Sequence, residues 1–307
     1  SSDGPYVKQF EEMFAEYIGV KYGVAVANGT VAIELAIAAL DIQPGDEIIL
    51  PAHTIISCPM GVLRRGAKPV LVDVEPGSWT IDVGQVEKKI NSKTRAIMPV
   101  HMFGHSCDMN PLIELAKKNG ITLIEDSAEA HGAEYYGKKC GSLSDISTFS
   151  FYANKIVTTG EGGMALTNDK HLAERARSYR NLCFLPQQRF LHEELGYNFR
   201  MTNLQAALGV AQMERINSLV ERKQWQGHEY TERLKNLAGI TLQGVQSWAK
   251  HVYWVFGILL EENVPIDAVQ LAKMLLEKGV QTRPFFWPLN QQPVFNRMGL
   301  FNNEKYP

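Results

Sequence analysis

The 307-residue sequence predicts an α/β fold with a mostly parallel sheet that is covered by helices on both faces. Two observations support this prediction. In the first two hundred residues, short apolar runs alternate with helix-like stretches, as expected for successive βαβ units. The runs are apolar throughout rather than at every second residue, which is typical of strands that are buried on both sides.

Seven apolar runs are the predicted strands, at residues 22–27, 47–50, 69–74, 96–101, 122–126, 147–151 and 163–167. Stretches with helical periodicity separate several of them, at residues 30–40, 57–65, 82–90 and 111–119. Turn-forming pairs lie at several of the junctions, at Asn28-Gly29, Pro44-Gly45, Pro76-Gly77 and Asn119-Gly120.

The pattern changes after Asn198. Residues 204–235 have helical periodicity, with a candidate apolar stripe made of Leu204, Leu208, Val210, Met213, Ile216 and Leu219. Residues 252–260 are a candidate strand and residues 266–278 a candidate helix, and a proline-rich extended segment follows at 283–293.

These patterns predict two domains. Residues 1–237 are expected to form a large three-layer αβα domain that ends in a long linking helix near 204–237. Residues 238–307 are expected to form a smaller α+β domain. A chain of this length has room for two ordinary domains or one large one.

The composition is that of a globular protein, with 45% apolar and 21% charged residues. Thirty-one Lys and Arg against 33 Asp and Glu give a net charge of -2, which argues against a nucleic-acid or anionic-membrane binder. The four cysteines form no CxxC pair, so neither a disulfide framework nor a thiolate zinc site is expected. No signal-peptide pattern and no run of roughly eighteen apolar residues is present, so a cytoplasmic location is expected.

One lysine lies between an apolar strand and a glycine-rich turn. In the segment FSFYANKIVTTGEGG at 149–163, Lys155 occupies this position. Partial burial lowers the pKa of a lysine and frees its amine as a nucleophile, for which a Schiff base with a carbonyl cofactor is the natural use. Taken alone, a solvated loop lysine is the commoner explanation.

A carboxylate and a tight turn complete a second and third candidate segment. Asp126 follows an apolar strand, and ligands of open α/β sheets bind outside such strand ends. There it can pair with a pyridinium nitrogen, although a helix cap is an equally good explanation. The turn at Gly29 and Thr30 opens a helix whose free N–H groups favour a phosphate, and Ser150 can add a hydroxyl. Together these segments meet the requirements of pyridoxal 5'-phosphate (PLP).

The sequence resembles the DegT/DnrJ/EryC1/StrS family of sugar aminotransferases, which are fold-type I PLP-dependent transferases. The resemblance covers nearly the whole chain and rests on GPYVKQFE (4–11), VANGT (26–30), PGDE (44–47), EDSAEAHG (125–132), SFYANK (150–155), TGEGG (159–163) and GYNFRMTNLQA (196–206). Residues 149–164, 200–206 and 283–286 look most like perosamine-forming members. Relatives have an earlier helix and a closing segment, so the chain is expected to be a fragment with a truncated small domain.

The resemblance implies a role for each matching position. Lys155 matches the lysine that holds PLP covalently, and Asp126 the partner of the pyridine nitrogen. The other positions are matched as follows: Glu129 lies near the phenolic oxygen, Gly29, Thr30 and Ser150 contact the phosphate, Asn198 reaches the phosphate of a neighbouring subunit in a homodimer, Arg200 assists with phosphate or donor carboxylate, and Arg283 and Phe285 contact the sugar substrate.

Two positions depart from the family pattern. Relatives have an aromatic or His residue stacked on the PLP ring after a Pro-x-x-Thr turn, and here that turn is followed by Ile55. Either Ile55 packs on the ring, without the roughly 0.5–1.5 kcal/mol that aromatic stacking adds, or His53 turns inward instead. Asn290 replaces a histidine that relatives often carry, which leaves the sugar contacts open.

The resemblance implies transfer of an amino group from L-glutamate to a nucleotide-linked 4-keto-6-deoxyhexose for O-antigen or related glycan precursors. The alternatives are another nucleotide keto-sugar, a cyclitol ketone, a PLP sugar dehydratase, or a non-catalytic binding protein with the same fold. The dehydratases carry His at the lysine position, where this chain has Lys155. His101 and His105 share a metal-like spacing, but they fall in a strand and loop, and no metal site is expected.

Overall fold

The computed structural model of the chain describes residues 4–185, 187–188 and 190–306. Its strands are β1 (Tyr22–Val26), β2 (Glu47–Pro51), β3 (Lys68–Val72), β4 (Thr94–Ile97), β5 (Thr122–Asp126), β6 (Glu134–Tyr135), β7 (Lys138–Lys139), β8 (Ile146–Ser150), β9 (Gly163–Thr167), β10 (Ile240–Leu242), β11 (Ala249–Lys250) and β12 (Ile258–Leu260). Its α-helices are α1 (Pro5–Ile18), α2 (Gly29–Ala39), α3 (Ser57–Arg64), α4 (Val83–Lys89), α5 (Met109–Asn119), α6 (Lys170–Arg180), α7 (Asn203–Met213), α8 (Ile216–Leu234), α9 (Ala268–Glu277) and α10 (Pro293–Arg297).

Seven strands form the central sheet, in the order β1-β9-β8-β5-β4-β2-β3. β9 runs antiparallel to both of its neighbours, β1 and β8. The remaining pairings are parallel. The seven predicted strands and the mostly parallel sheet are therefore confirmed. Since β1, β5 and β8 point in the same direction, their carboxyl ends meet at one edge of the sheet.

Helices cover both faces of this sheet because successive residues of a strand point to opposite sides. In β2, Ile48 and Leu50 pack in the core with α2 and α3. Ile49, between them, packs with α5 on the other side. Ala25 of β1 likewise faces a core formed with α1 and α7. The predicted three-layer αβα arrangement is thus confirmed.

The prediction of one long helix near residues 204–237 is wrong, because the chain bends between α7 and α8 at Glu214 and Arg215. α7 lies against α1, where Gly209 is so close that a Cβ would come within 2.7 Å of the Phe10 ring. This contact decides which face is buried: Val210 is in the core, whereas Leu204 at the start of the predicted stripe is 82% exposed.

The C-terminal part packs against the sheet domain. The predicted strand at 252–260 is wrong in its first half, since only Ile258–Leu260 forms a strand. Before it, the backbone N–H groups of Val252 and Trp254 donate to the carbonyls of Gly104 and Phe103. The predicted helix at 266–278 corresponds to α9. The division at residue 237 stays a prediction.

Within the described ranges, none of the helices combines the length and the apolar character that a bilayer crossing requires.

Candidate active site

The carboxyl edge of the sheet brings three sequence segments together. Asp126 is the last residue of β5 and Ser150 the last residue of β8. β1 ends at Val26 on the same edge, and α2 begins three residues later. Parallel topology therefore places the predicted carboxylate, lysine loop and phosphate turn side by side, as expected for the ligand site of an α/β sheet.

Lys155 lies in the loop after β8 with its side chain only 10% exposed. Its Nζ is 3.7 Å from Oε1 of Glu129. Burial lowers the pKa of Lys155, while the charges of Glu129 and Asp126 oppose this effect. The amine is thus nearer to its nucleophilic, neutral form than a solvated lysine would be.

Glu129 is held from the opposite side by the backbone of Phe103. The N–H of Phe103 donates to Oε2 of Glu129 at 2.7 Å. Burial raises the pKa of Glu129 to about 7, and the nearby Lys155 ammonium opposes the rise. Near neutral pH, Glu129 therefore exchanges a proton readily beside Lys155.

Replacing Glu129 by Gln should flatten the dependence of stability on pH. The folded chain holds this proton more tightly than the unfolded chain, so Glu129 contributes stability below pH 4.5 that is lost as pH rises through about 7. The raised pKa corresponds to about 3 kcal/mol. The measurement is urea unfolding of the cofactor-free chain between pH 4 and 8. Over this range the free energy of unfolding of the wild type should fall by about 3 kcal/mol more than that of the variant.

The matched control for this measurement is Glu262→Gln, since Glu262 is exposed. Its profile should follow that of the wild type. If Glu129→Gln and the wild type lose stability in parallel across the range, Glu129 is not the titrating group.

Asp126 is buried and both of its carboxylate oxygens accept hydrogen bonds. The thiol of Cys58 donates to Oδ2 at 3.1 Å. The backbone N–H of Ala128 donates to Oδ1 at 3.1 Å. These contacts fix the carboxylate at the end of β5. Burial, together with the nearby Asp126 charge, raises the pKa of the Cys58 thiol well above its ordinary value, so the thiol keeps its proton and remains a hydrogen-bond donor.

The turn between β1 and α2 is pressed closely against the end of β8. A Cβ on Gly29 would come within 2.6 Å of the Ser150 Cβ, so a glycine is required there. The Asn28 side chain caps α2 by accepting from the N–H of Val31, and the Thr30 hydroxyl lies 2.9 Å from that of Ser57. First-turn N–H groups and adjacent hydroxyls form an anion site suited to a phosphate.

These groups are of the kinds that PLP requires. A carboxylate at a strand end would suit its ring nitrogen, a buried lysine its aldehyde, and the N–H groups and hydroxyls at the start of α2 its phosphate. In the described part of the chain, no group of three or more His, Cys, Asp or Glu residues is arranged to hold a metal ion. His101 instead lies 2.8 Å from Glu125 in a buried pair, and His105 accepts from the N–H of Gln246.

The His53 side chain packs against aromatic rings, whereas Ile55 is exposed. Ile55 is 38% exposed. The His53 ring lies 5.9 Å from that of Phe285, at 26° between planes, and 6.1 Å from that of Phe103. Its Nε2 is buried and has no hydrogen-bond partner among the residues that the structure describes. His53 is thus turned towards these aromatic rings, and the assignment of either Ile55 or His53 to the PLP ring stays a prediction.

The remaining predicted residues lie farther out. Asn198 is exposed and its backbone forms a bridge with Asn181. Arg200 forms a bridge with Val26 and donates from Nη1 to the Asn181 side chain at 2.9 Å, which puts it beside the end of β1. Arg283 is exposed, and its Nη1 donates to the Thr282 carbonyl. Their roles in binding stay predictions.

Sequence reasoning missed two residues that contact the site. In the sequence, Cys58 is one of four cysteines without a CxxC partner, and Trp254 is one residue of the predicted strand at 252–260. Trp254 covers the Lys155 amine, with 3.6 Å between Nζ and the ring centroid. The sequence offers no signal for either contact, because each partner lies far away along the chain.

The chain is similar to several known proteins over nearly its whole length. The profile of the DegT/DnrJ/EryC1/StrS aminotransferase family matches residues 1–307. The chain is 43% identical over 296 residues to GDP-perosamine synthase of Caulobacter vibrioides, covering 96% of this chain and 80% of that protein. It is 39% identical over 294 residues to dTDP-3-amino-3,4,6-trideoxy-alpha-D-glucose transaminase of Streptomyces venezuelae, covering 95% and 76%. The crystal structure of S. venezuelae DesV matches with a TM-score of 0.90 at 35% identity, covering 99% of this chain and 79% of that chain.

Proposed function

Because the chain belongs to the DegT/DnrJ/EryC1/StrS aminotransferase family and is a PLP-dependent sugar aminotransferase, we propose that it aminates C4 of a nucleotide-linked 4-keto-6-deoxyhexose with L-glutamate as donor. The product would be a perosamine-type sugar for O-antigen or related glycan precursors. The similarity to a GDP-perosamine synthase supports this substrate. The observation that carries the chemistry is the buried Lys155 amine beside Glu129.

Three parts of the chain would hold PLP. Lys155 would bind it covalently, Asp126 would accept a hydrogen bond from its ring nitrogen, and the turn at Gly29 with Ser150 would receive its phosphate. When bound, PLP supplies an electrophilic aldehyde and a ring that accepts electrons. The Asp126 carboxylate is kept in place for this by the Cys58 thiol and by the Ala128 N–H.

Proton transfer is the task of Lys155 itself. Once its amine is released by the amino donor, Nζ can take a proton from the donor α-carbon and return one, acting as general base and then acid. Burial favours the neutral amine, which is the form that accepts the proton. In the second half of the reaction the same Nζ would move protons in the reverse order on the sugar side.

A spectral titration tests this function. L-glutamate added to the PLP-loaded protein should convert the visible absorption of the cofactor to that of pyridoxamine phosphate. A panel of nucleotide keto-sugars should then restore it, most rapidly with the GDP-linked 4-keto-6-deoxyhexose. If glutamate does not change the spectrum, the proposed amino donor is wrong. If glutamate converts the cofactor but none of the keto-sugars restores its absorption, the proposed nucleotide-sugar substrate is wrong.

A second candidate substrate is a dTDP- or UDP-linked sugar aminated at C3. The 39% identity to the S. venezuelae transaminase, whose name specifies a dTDP-linked 3-amino sugar, favours this reading. The same panel separates the two candidates. Faster recovery with a dTDP-linked 3-keto sugar would replace the first proposal. A cyclitol ketone is added as a further acceptor, and recovery with it alone would exclude both.

We propose further that the enzyme is a homodimer in which Asn198 reaches the phosphate site of the neighbouring subunit. The exposed position of Asn198 in this chain supports the proposal. The cytoplasmic location also stays a prediction.

A subunit-mixing experiment tests the shared site. Mixing inactive Lys155→Ala with weakened Asn198→Ala should restore activity, because the mixed dimer contains one site with neither change. If the subunits exchange freely, the activity of an equal mixture should approach about a quarter of the wild-type activity, because about half of the dimers are mixed and each has one intact site. Mixing Lys155→Ala with Asp126→Asn is the control, because both residues belong to the site of the same subunit and no mixed dimer then contains an intact site. No recovery in the first mixture would contradict a site shared through Asn198.

A further inference from the structure

The indole ring of Trp254 lies directly over the amine of Lys155. Nζ is 3.6 Å from the ring centroid, well within the range of a cation–π contact. The two residues come from different parts of the chain: Lys155 from the loop after β8, and Trp254 from the segment that precedes β12. The contact therefore exists only in the folded protein.

Trp254 is held in this position by hydrogen bonds from both its indole ring and its backbone. Its indole Nε1 donates to the carbonyl of Asn154 at 2.9 Å, and its backbone N–H donates to the carbonyl of Phe103 at 2.9 Å. The N–H of Phe103 in turn donates to Glu129, whose other oxygen lies 3.7 Å from Lys155. The backbone of Phe103 thus connects Trp254 with the Glu129 carboxylate.

The face of an aromatic ring is negatively polarised and attracts a cation, whereas it has little attraction for a neutral amine. Around Nζ, the charged groups are the carboxylates of Glu129 and Asp126, and His131 also interacts with the Lys155 charge. Burial lowers the pKa of His131 to about 3, so this ring is neutral near pH 7. Trp254 is therefore an additional stabilising contact for the protonated amine.

We propose that Trp254 is a positioning residue for Lys155, whose ring face holds the protonated amine beside Glu129 while it carries a proton between substrate and cofactor atoms. The ammonium then has a defined place in a site that is otherwise poorly solvated. This proposal rests on the aminotransferase chemistry, and does not depend on which sugar is the acceptor.

The test compares Trp254→Phe with Trp254→Leu. Both variants lose the indole hydrogen bond to Asn154, so the difference between them isolates the ring face. The pKa of Lys155 is measured in the full-length cofactor-free chain by competitive acetylation over a range of pH, with mass spectrometry of the Lys155 peptide. Trp225→Leu is the control, because Trp225 is half exposed and contacts Arg222 instead.

In Trp254→Leu we expect the midpoint of Lys155 labelling to fall by roughly half a pH unit or more. Trp254→Phe should lie between this variant and the wild type, and Trp225→Leu should equal the wild type. After loading with PLP, the acid limb of the kcat profile should move by the same amount, with KM for glutamate little changed.

Equal midpoints for the Leu and Phe variants, or a Leu midpoint at or above that of the wild type, would overturn the proposal. If Trp254→Leu does not fold, judged by circular dichroism, Trp254→Met takes its place in the comparison with Trp254→Phe, since it also lacks both the ring and the indole hydrogen bond. Because the labelling uses neither PLP nor substrate, its outcome is independent of the substrate assignment.

Discussion

Replacing Lys155 by Ala should abolish transamination in a chain that still folds and still binds PLP. The variant loses both the covalent attachment and the amine proposed to move the proton, so kcat should fall at least about a thousandfold. Folding should survive because Glu129, left without its cation, can remain protonated at its raised pKa. The fall is measured by coupled assay and by the glutamate half-reaction at saturating substrate.

PLP retention by the variant is measured by equilibrium dialysis, since Asp126 and the Gly29 turn are untouched. Lys170→Ala is the matched control, because Lys170 is an exposed lysine of α6 and its replacement should change neither PLP retention nor activity. Turnover by Lys155→Ala near the wild-type rate would remove Lys155 from the mechanism.

Replacing Asp126 by Asn should slow the chemical step about a hundredfold or more, with a smaller effect on stability. The amide has the same shape, and its oxygen can still accept from Cys58 or from Ala128. It cannot supply the negative charge that keeps the ring nitrogen of PLP protonated. The readout is the single-turnover rate of the glutamate half-reaction, with the unfolding midpoint measured in parallel.

The neighbouring residue Glu125 provides the contrast for this variant. Glu125 is also a buried carboxylate of β5, but it bonds to His101 and to the backbone N–H groups of Gly141 and Leu143. Glu125→Gln should therefore lower stability by about 3 kcal/mol, as for a broken buried ion pair, while the single-turnover rate of the folded enzyme changes little. The assignment of Asp126 fails if the two variants show the same kinetic loss.

Local sequence signals predicted most of the sheet. The continuous apolar runs identified all seven central strands to within a few residues, because strands that are buried on both sides must be apolar at every position. Two helices of the sheet domain, α1 and α6, were not predicted. For α1 the signals are nevertheless present, with Pro5 in its first turn and Gly19 at its end with φ of 90°.

The two wrong predictions, the single long helix and the strand at 252–260, lie where packing against a distant segment decides the structure. Residues 204–237 have helical periodicity throughout, yet the backbone leaves the helical conformation at Arg215, and the packing of Gly209 on Phe10 sets the buried face of α7. Val252 and Trp254 have the composition of a strand, but their N–H groups bond to Gly104 and Phe103. The periodicity of apolar residues shows which face of a helix or strand is apolar, but it does not show which segment of the chain packs against that face.

The sequence by itself determined the fold class, the family and the residue types of the site, since Asp126, Glu129, Lys155 and the Gly29 turn each lie in a contiguous motif. Only the tertiary structure decided what surrounds them: the Cys58 thiol on Asp126, the Trp254 ring on Lys155 and the inward-facing His53. The physical reason is that these contacts depend on side-chain direction and burial between segments that lie far apart in the chain. Burial is also what lowers the pKa of Lys155, so the reactivity of the motif is a property of the fold.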